Sequence, residues 1–169
     1  MKWAIISTSS PMVTVAILED DRVLVSRTES APMRASGAVM RLLEEMRTSV
    51  DLYVADVGPG SFTGVKVGVT IVKTLAFAEG VKVAGLTSFD LINPGGAAAV
   101  PSRKGKHLVR DSSGTDEVHS DDRRVELAVK GFPSAENAAK LFGSLEPVDP
   151  VVLLPNYVLE PSISTPKKL

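Results

Sequence analysis

The chain has no cysteine among its 169 residues, which excludes disulfide bonds, thiolate metal ligands and a cysteine nucleophile. Its two histidines, His107 and His119, are too far apart in sequence to form a His-x-x-x-His pair that could hold a metal ion. No apolar run reaches the roughly 20 residues that span a membrane, and the N-terminus lacks the pattern of a signal peptide. We therefore expect a cytoplasmic protein that holds no metal and does not contact a membrane.

An excess of either charge is also missing, because 19 basic and 20 acidic residues leave a net charge of −1. No global positive field therefore attracts nucleic acid. The largest basic cluster lies between Arg103 and Arg110, and it is typical of either a solvated hairpin or a local contact with phosphate or RNA. The acidic residues of 110–124 lie in a predicted solvated loop, and the serines of 7–10 have no nearby histidine or lysine base. We predict no catalytic residue.

Hydrophobic patterns predict alternating element types in the first half of the chain. The predicted strands are 3–7, 13–18, 22–27, 51–57 and 82–86. The predicted helices are 36–48 with Ser36 as N-cap, 62–79 ended by Gly80, and a short helix from Thr87 or Ser88 to Ile92. The first three strands should be antiparallel, and the later ones should follow right-handed crossovers. This order predicts an α/β fold, a mixed β-sheet with flanking helices.

A break at 93–99, "NPGGAAA", separates a lobe of residues 1–95 from a smaller section of residues 96–169. In this second section we predict strands near 98–101, 106–110, 125–130 and 151–154, and a helix over 134–144. The charge-dense stretch 110–124 is predicted to be a mobile loop, and the tail 160–169 to be frayed.

The stretch "GPGSFTGVKVG" at 58–68 follows a predicted buried strand and raises two hypotheses. It matches neither the P-loop nor the dinucleotide-binding fingerprint, because Thr63 or Val65 stands where a glycine is required. A glycine-rich turn before a helix can still bind an anion through free N–H groups. The candidate anion or nucleotide contacts are Gly58, Gly60, Ser61, Arg103 and Lys104.

The second hypothesis is close packing. Gly60, Gly64 and Gly68 lie four apart, on one stripe of the predicted helix. The two interior glycines cost the helix about 2 kcal/mol relative to alanine, which tight packing must offset. The stripe either faces the domain's own sheet or contacts another chain. Because the helix is apolar all round, it should be buried on more than one side, and we expect an inter-subunit contact.

The same stretch closely resembles the signature of the bacterial TsaB (YeaZ) family, Gly-Pro-Gly-Ser-Phe-Thr-Gly-x-Arg-x-Gly, with Lys66 at the arginine position. Further segments are similar to those of the family: "STSS" at 7–10, "VAGLTSFDLI" at 83–92, "SRKGKHLV" at 102–109 and "LLPNYVL" at 153–159. The resemblance is dense over about 1–110 and thin afterwards.

This resemblance implies an actin-like ATPase (ASKHA, ribonuclease H-like) fold in two lobes, the second one shortened. It also implies a non-catalytic subunit that binds a TsaD-type transferase, which forms threonylcarbamoyladenosine (t6A) at position 37 of tRNAs reading ANN codons. A TsaE-type ATPase would bind at their junction, tRNA would be contacted indirectly, and the chain alone would form a homodimer. The chain would have no cofactor of its own, and ATP or ADP would bind, if at all, at the interface with its partners.

By the same resemblance, helices at about 36–47 and 62–78 would form the interface with the partner. The implied interface residues are Val39, Leu42, Leu43, Met46, Gly60, Ser61, Phe62, Thr63, Gly64, Lys66, Val67, Gly68, Ile71, Val72 and Leu75.

Two departures from the family pattern argue against a nucleotide or metal site in this chain. Ser7 replaces the aspartate of the first phosphate loop, and Ala35-Ser36 stands where relatives often have His-Ser. Two alternative functions remain open at this point. One is a degenerate glycoprotease-like (M22-type) peptidase, and the other is a stand-alone nucleotide-binding protein.

Overall fold

A computed structural model describes residues 1–159 of the chain. The strands are β1 (Lys2–Ser7), β2 (Met12–Glu19), β3 (Arg22–Ser30), β4 (Leu52–Asp56), β5 (Lys82–Leu86), β6 (Ala98–Pro101), β7 (Lys106–Asp111), β8 (Gly114–His119) and β9 (Val129–Lys130). The α-helices are α1 (Ala35–Glu45), α2 (Phe62–Glu79), α3 (Ser88–Ile92) and α4 (Arg123–Leu127), and a 3₁₀ helix spans Ala135–Ser144.

The first sheet has the order β3-β2-β1-β4-β5. Its first three strands are antiparallel, whereas β1, β4 and β5 are parallel, as the element order predicts. Apolar residues fill both faces of this sheet, so each face must be covered. Helices α1 and α2 cover one face, and α3 with the 3₁₀ helix covers the other.

The second sheet is smaller and has the order β8-β7-β6-β9. The chain after it returns to the first sheet: Thr14 donates a hydrogen bond to the carbonyl of Pro133 (3.0 Å), and Val148 pairs with Val83 on the edge strand β5. A stretch of this returning chain, 148–157, then crosses beside α2, and we call it the strap. Lys73 of α2 donates hydrogen bonds to two strap carbonyls, those of Val151 (3.2 Å) and Leu153 (2.9 Å).

Local end signals account for the bounds of α2. The Ser61 hydroxyl accepts a hydrogen bond from the amide of Gly64, and Gly80 ends the helix in the left-handed conformation (φ 68°). The prediction of this helix over 62–79 is confirmed. For α1 the predicted N-cap is wrong: the helix begins at Ala35, so that Ser36 lies inside its first turn and Arg34 occupies the cap position without a side-chain hydrogen bond.

In the second section several predictions are wrong. Residues 110–124 form the hairpin β7–β8 and the start of α4 rather than a loop, because Arg124 pairs with Asp111 (2.6 Å) and Asp116 (2.6 Å) and so offsets the charge density. The predicted strand 125–130 is mostly α4, with only Val129–Lys130 extended. The predicted helix 134–144 is a 3₁₀ helix, and 151–154 is not a strand. The predicted frayed tail, 160–169, lies outside the described residues.

The glycines of α2 allow the helix to approach the turn that follows β1. The Thr8 hydroxyl donates a hydrogen bond to the Gly64 carbonyl (2.7 Å), and the Ser61 amide donates one to the Ser9 carbonyl (2.7 Å). A Cβ at Gly64 would overlap the carbonyl oxygen of Thr8, and one at Gly68 would overlap its hydroxyl. The glycine stripe therefore packs against the chain's own β1 turn.

This contact predicts opposite effects for two glycine-to-alanine substitutions. Gly64→Ala should lower the free energy of unfolding by about 1–3 kcal/mol or more, because the added methyl group overlaps a backbone carbonyl. Gly37→Ala in α1, where a Cβ meets nothing within 4 Å, should raise it by about 0.5 kcal/mol through helix propensity. Urea unfolding followed by circular dichroism measures both. Equal stabilisation by the two substitutions would contradict the close approach.

Candidate functional site

The predicted interface residues divide between two sides of the helix pair α1–α2. Val39, Leu42 and Met46 of α1 are buried in the core of the same chain. On α2 the same is true of Gly64, Gly68 and Val72. This corrects the expectation that the glycine stripe itself makes the approach to a partner, because its close contacts are with Thr8 and Ser9.

The opposite side of the two helices is open to solvent, and we call it the outer face. The predicted residues that lie there, exposed or half-buried, are Leu43, Thr63, Val67, Ile71 and Leu75. Phe62, at the start of α2, lies instead beside Tyr157 of the strap, and Lys66 lies over the Phe62 ring. Two exposed apolar side chains belong to the same face but are absent from the sequence-based list: Met40 (51% exposed) and Phe77 (78% exposed). The sequence identifies both side chains as apolar, but it does not show that they are exposed.

A groove of about 460 Å³ lies between the helices near their C-terminal ends. Its lining includes Met40, Leu43 and Leu75, so it is continuous with the outer face. At its base the Tyr53 hydroxyl donates a hydrogen bond to the Glu79 carboxylate (2.9 Å). Burial, followed by this hydrogen bond, raises the pKa of Tyr53 well above its usual range, so the phenol stays protonated.

Three of the five candidate anion contacts lie at one site. Gly60, Ser61 and Arg103 line one cavity of about 490 Å³ between the first turn of α2 and the β6–β7 hairpin. The Gly58 amide is not available to a ligand there, because it donates to the Asp56 carboxylate (2.9 Å). Lys104 is exposed in the hairpin turn and does not line the cavity.

The other cations of the basic cluster have partners within the chain. Arg110 pairs with the Asp90 carboxylate, and Lys106 lies 3.4 Å from a carboxylate oxygen of Glu117. Arg103 is 3.6 Å from Glu117, too far for a hydrogen bond, and its side chain is 59% exposed. Arg103, with only this loose ion pair, and Lys104, exposed in the hairpin turn, are therefore the least engaged cations of the cluster, and their contact with an anion stays a prediction.

A buried polar cluster that the sequence analysis missed surrounds Asp56, the last residue of β4. Its carboxylate accepts hydrogen bonds from the hydroxyls of Ser7 (2.6 Å), Ser9 (2.6 Å) and Ser88 (2.7 Å), and from the Gly58 amide. Burial raises the pKa of Asp56, and these hydrogen bonds oppose the rise by stabilising the charged form. Within the described residues every buried side-chain N or O atom has a partner. The signal in the sequence was an aspartate that ends an apolar strand.

The remaining polar candidates do not converge. His107 contacts the Ser120 hydroxyl (2.9 Å), and His119 pairs one position away on the neighbouring strand, so the two side chains point to opposite faces of the hairpin. Residues 1–159 contain no group of three His, Asp or Glu side chains that could hold a metal ion. None of the helices in that range is long and apolar enough to cross a membrane.

Comparison with known sequences points to one group of proteins. A family model described as TsaD, tRNA N6-adenosine threonylcarbamoyltransferase, matches residues 33–98, which include α1 and α2. The chain is 31% identical over 98 residues to the tRNA threonylcarbamoyladenosine biosynthesis protein TsaB of Bacillus subtilis (strain 168). That alignment covers 54% of this chain and 43% of the relative, so the chain spans less than half the length of the curated relative it matches.

Two solved structures share the fold. YeaZ from Pseudomonas aeruginosa has a TM-score of 0.69 and 23% identity, over 93% of this chain and 99% of the other. The second is a protein with similarity to the peptidase YeaZ from Pseudomonas aeruginosa, with a TM-score of 0.70 and 22% identity, over 94% and 99%. These matches show that the chain shares the α/β fold of YeaZ, in agreement with the predicted mixed sheet with flanking helices. The chain is thus similar in part of its sequence to a TsaB and in its fold to YeaZ.

The Asp56 cluster predicts a specific dependence of stability on pH. Since the pKa of Asp56 is raised in the folded chain, its contribution to stability is full below the ordinary aspartate value and is lost as pH rises through the folded value. The free energy of unfolding of the wild type, measured relative to Asp56→Asn, should therefore fall between acidic and neutral pH.

Urea titrations of both proteins at several pH values measure this difference. The contributions of the other carboxylates to the pH dependence are common to both proteins and cancel. A difference that does not change with pH, or that rises, would contradict the raised pKa. In the same assay Asp56→Ala should lose about 3 kcal/mol or more at neutral pH, because three hydroxyls and one amide lose their acceptor.

Proposed function

We propose that this chain is a TsaB-type, non-catalytic subunit of a complex that forms threonylcarbamoyladenosine at position 37 of tRNAs reading ANN codons. Its task in this proposal is to bind a TsaD-type transferase and to support that enzyme's activity. The match of residues 33–98 to the TsaD family model and the 31% identity to a TsaB support the assignment.

The observation that carries the proposal is the apolar outer face of α1 and α2. Once the sheet has covered the inner side of α2, the helix still presents Val67, Ile71 and Leu75 as half-buried side chains and Phe77 as an exposed one. Apolar patches of this kind on a soluble domain mark binding surfaces. Two helices that lie side by side offer a ridged surface onto which a partner's helices can pack.

The same face accounts for a homodimer of the chain alone. A two-fold contact uses one self-complementary patch on both copies, and an apolar helix pair meets that requirement. A TsaD-type partner would then replace one copy, because both use the outer face. A TsaE-type ATPase would bind at the junction of the two subunits, and ATP or ADP would bind there and not as a cofactor of this chain.

This proposal predicts that a charge placed on the outer face blocks assembly. Phe77→Asp should raise the dissociation constant of the heterodimer about ten-fold or more, because the partner would bury an unpaired carboxylate. Leu127→Asp is the matched control, since Leu127 is also exposed (70%) but lies on α4, away from both interface helices.

Sedimentation velocity with a purified TsaD-type partner measures both variants, and the far-ultraviolet circular dichroism of each should equal that of the wild type. Equal binding by the two variants, or a loss confined to Leu127→Asp, would refute the outer face as the docking surface.

A further inference from the structure

Exposed aromatic side chains are concentrated in one part of the molecule. Within residues 1–159 four aromatic side chains are exposed, and three of them line the space between the two sheets: Phe62 (43%), Phe132 (42%) and Tyr157 (42%). The fourth, Phe77, lies on the outer face. Aromatic rings are costly to leave in water, so three at one site indicate a ligand that covers them.

These side chains border two adjoining cavities. The cavity of about 490 Å³ contains Phe62 and Tyr157, and a second of about 330 Å³ contains Phe132. Both are lined by Pro59–Ser61 and by Pro101, so they lie on either side of one ridge and form a continuous surface. We call the two cavities together the cleft.

The charged residues in and beside the cleft favour an anionic ligand. Among residues 1–159 no aspartate or glutamate lines either cavity, and Arg103 is the one charged residue of the lining within that range. Lys66 lies above the Phe62 ring, 4.0 Å from its centre, and adds a second positive charge beside the cleft. The Glu117 carboxylate, 3.6 Å from Arg103, offsets part of this charge but lies outside the lining. With Lys66 added, an anionic group still meets attraction in the cleft.

Two of the three aromatic side chains, Phe62 and Tyr157, form a tilted pair. Lys66 covers one region of the Phe62 ring, and Tyr157 of the strap packs on that ring with centroids 5.0 Å apart. The ring of Tyr157 is exposed, so a further planar group can extend the stack. The neighbouring Asn156 is also exposed, and its side-chain amide makes no hydrogen bond within the described part of the chain.

From this juxtaposition we propose that the cleft binds unpaired RNA directly. A base stacks on Tyr157, Arg103 neutralises an adjacent phosphate, and the Asn156 amide bonds to the edge of the base. Aromatic stacking combined with a few cations is the usual mode of binding single strands, whose bases are free to leave their own stack. This inference rests on the proposed function, in which the substrate is a tRNA, and it replaces the indirect contact expected from the sequence.

The experiment measures fluorescence anisotropy of a labelled unpaired oligoribonucleotide titrated with the full chain. Tyr157→Ala should weaken binding about five-fold or more, whereas Tyr157→Phe, which keeps the ring, should bind like the wild type. Arg103→Glu should weaken binding as well. Its matched control is Arg123→Glu, because Arg123 is an exposed arginine of the same half of the chain that lies outside the cleft. Thermal melts establish that each variant is folded.

Four results would overturn the proposal: no binding by the wild type, equal binding by Tyr157→Ala and Tyr157→Phe, equal loss in Arg103→Glu and Arg123→Glu, or complete displacement by ATP or by an RNA duplex. Displacement by ATP would assign the cleft to a free nucleotide, and displacement by a duplex would indicate attraction by charge alone. If the chain forms the heterodimer but does not bind the RNA, the cleft proposal is refuted and the docking function stands. The reverse outcome would refute the docking function alone.

Discussion

The position of the turn after β1 determines how the first sheet and α2 meet. On one side of this turn, the Asp56 carboxylate accepts hydrogen bonds from Ser7 and Ser9. On the other side, the backbone and hydroxyl of Thr8 contact the glycines of α2. The same carboxylate accepts from Ser88 at the start of α3. One buried charge thus connects the carboxyl ends of β1 and β4 with the segment that follows β5. The hydrogen bonds it accepts make that burial tolerable.

The contact with this turn makes the two sides of α2 different in composition. The glycines occupy the inner side, where only a backbone without side chains fits. Val65, Val69 and Val72 are buried in the core beside them, whereas Val67 and Ile71 are half-buried and Phe77 is exposed. The strap is attached to the same helix through Lys73 and through the Phe62–Tyr157 contact. The proposed docking surface and the cleft therefore both border α2.

The sequence predicted the parts of the fold that depend on local signals. Ser61 and Gly80 mark the ends of α2, and the apolar pattern of the first three strands predicts each of them. Strand β7 was predicted, but β8 was missed because its charges are paired by Arg124, which comes from an element beyond the hairpin. The spacing of the glycines predicted a close approach, but no local pattern could identify Thr8, more than 50 residues away, as the neighbour. The partners of Asp56 and the aromatic lining of the cleft were missed for the same reason, since they are assembled from distant segments. Only Gly60, Ser61 and Arg103 of that lining were among the predicted anion contacts.

The central claim is that the outer face of α2 is the surface that a TsaD-type partner covers. Because the chain has no cysteine, a single one can be introduced as a reporter without interference. Thr70→Cys places a thiol on the exposed side of α2, and Ser113→Cys places one in the turn of the β7–β8 hairpin. The measurement is the rate of alkylation of each thiol with and without the partner. The account predicts that the partner slows alkylation of Thr70→Cys in proportion to the fraction bound and leaves Ser113→Cys unchanged. An unchanged rate at Thr70→Cys under conditions where the heterodimer forms would contradict it.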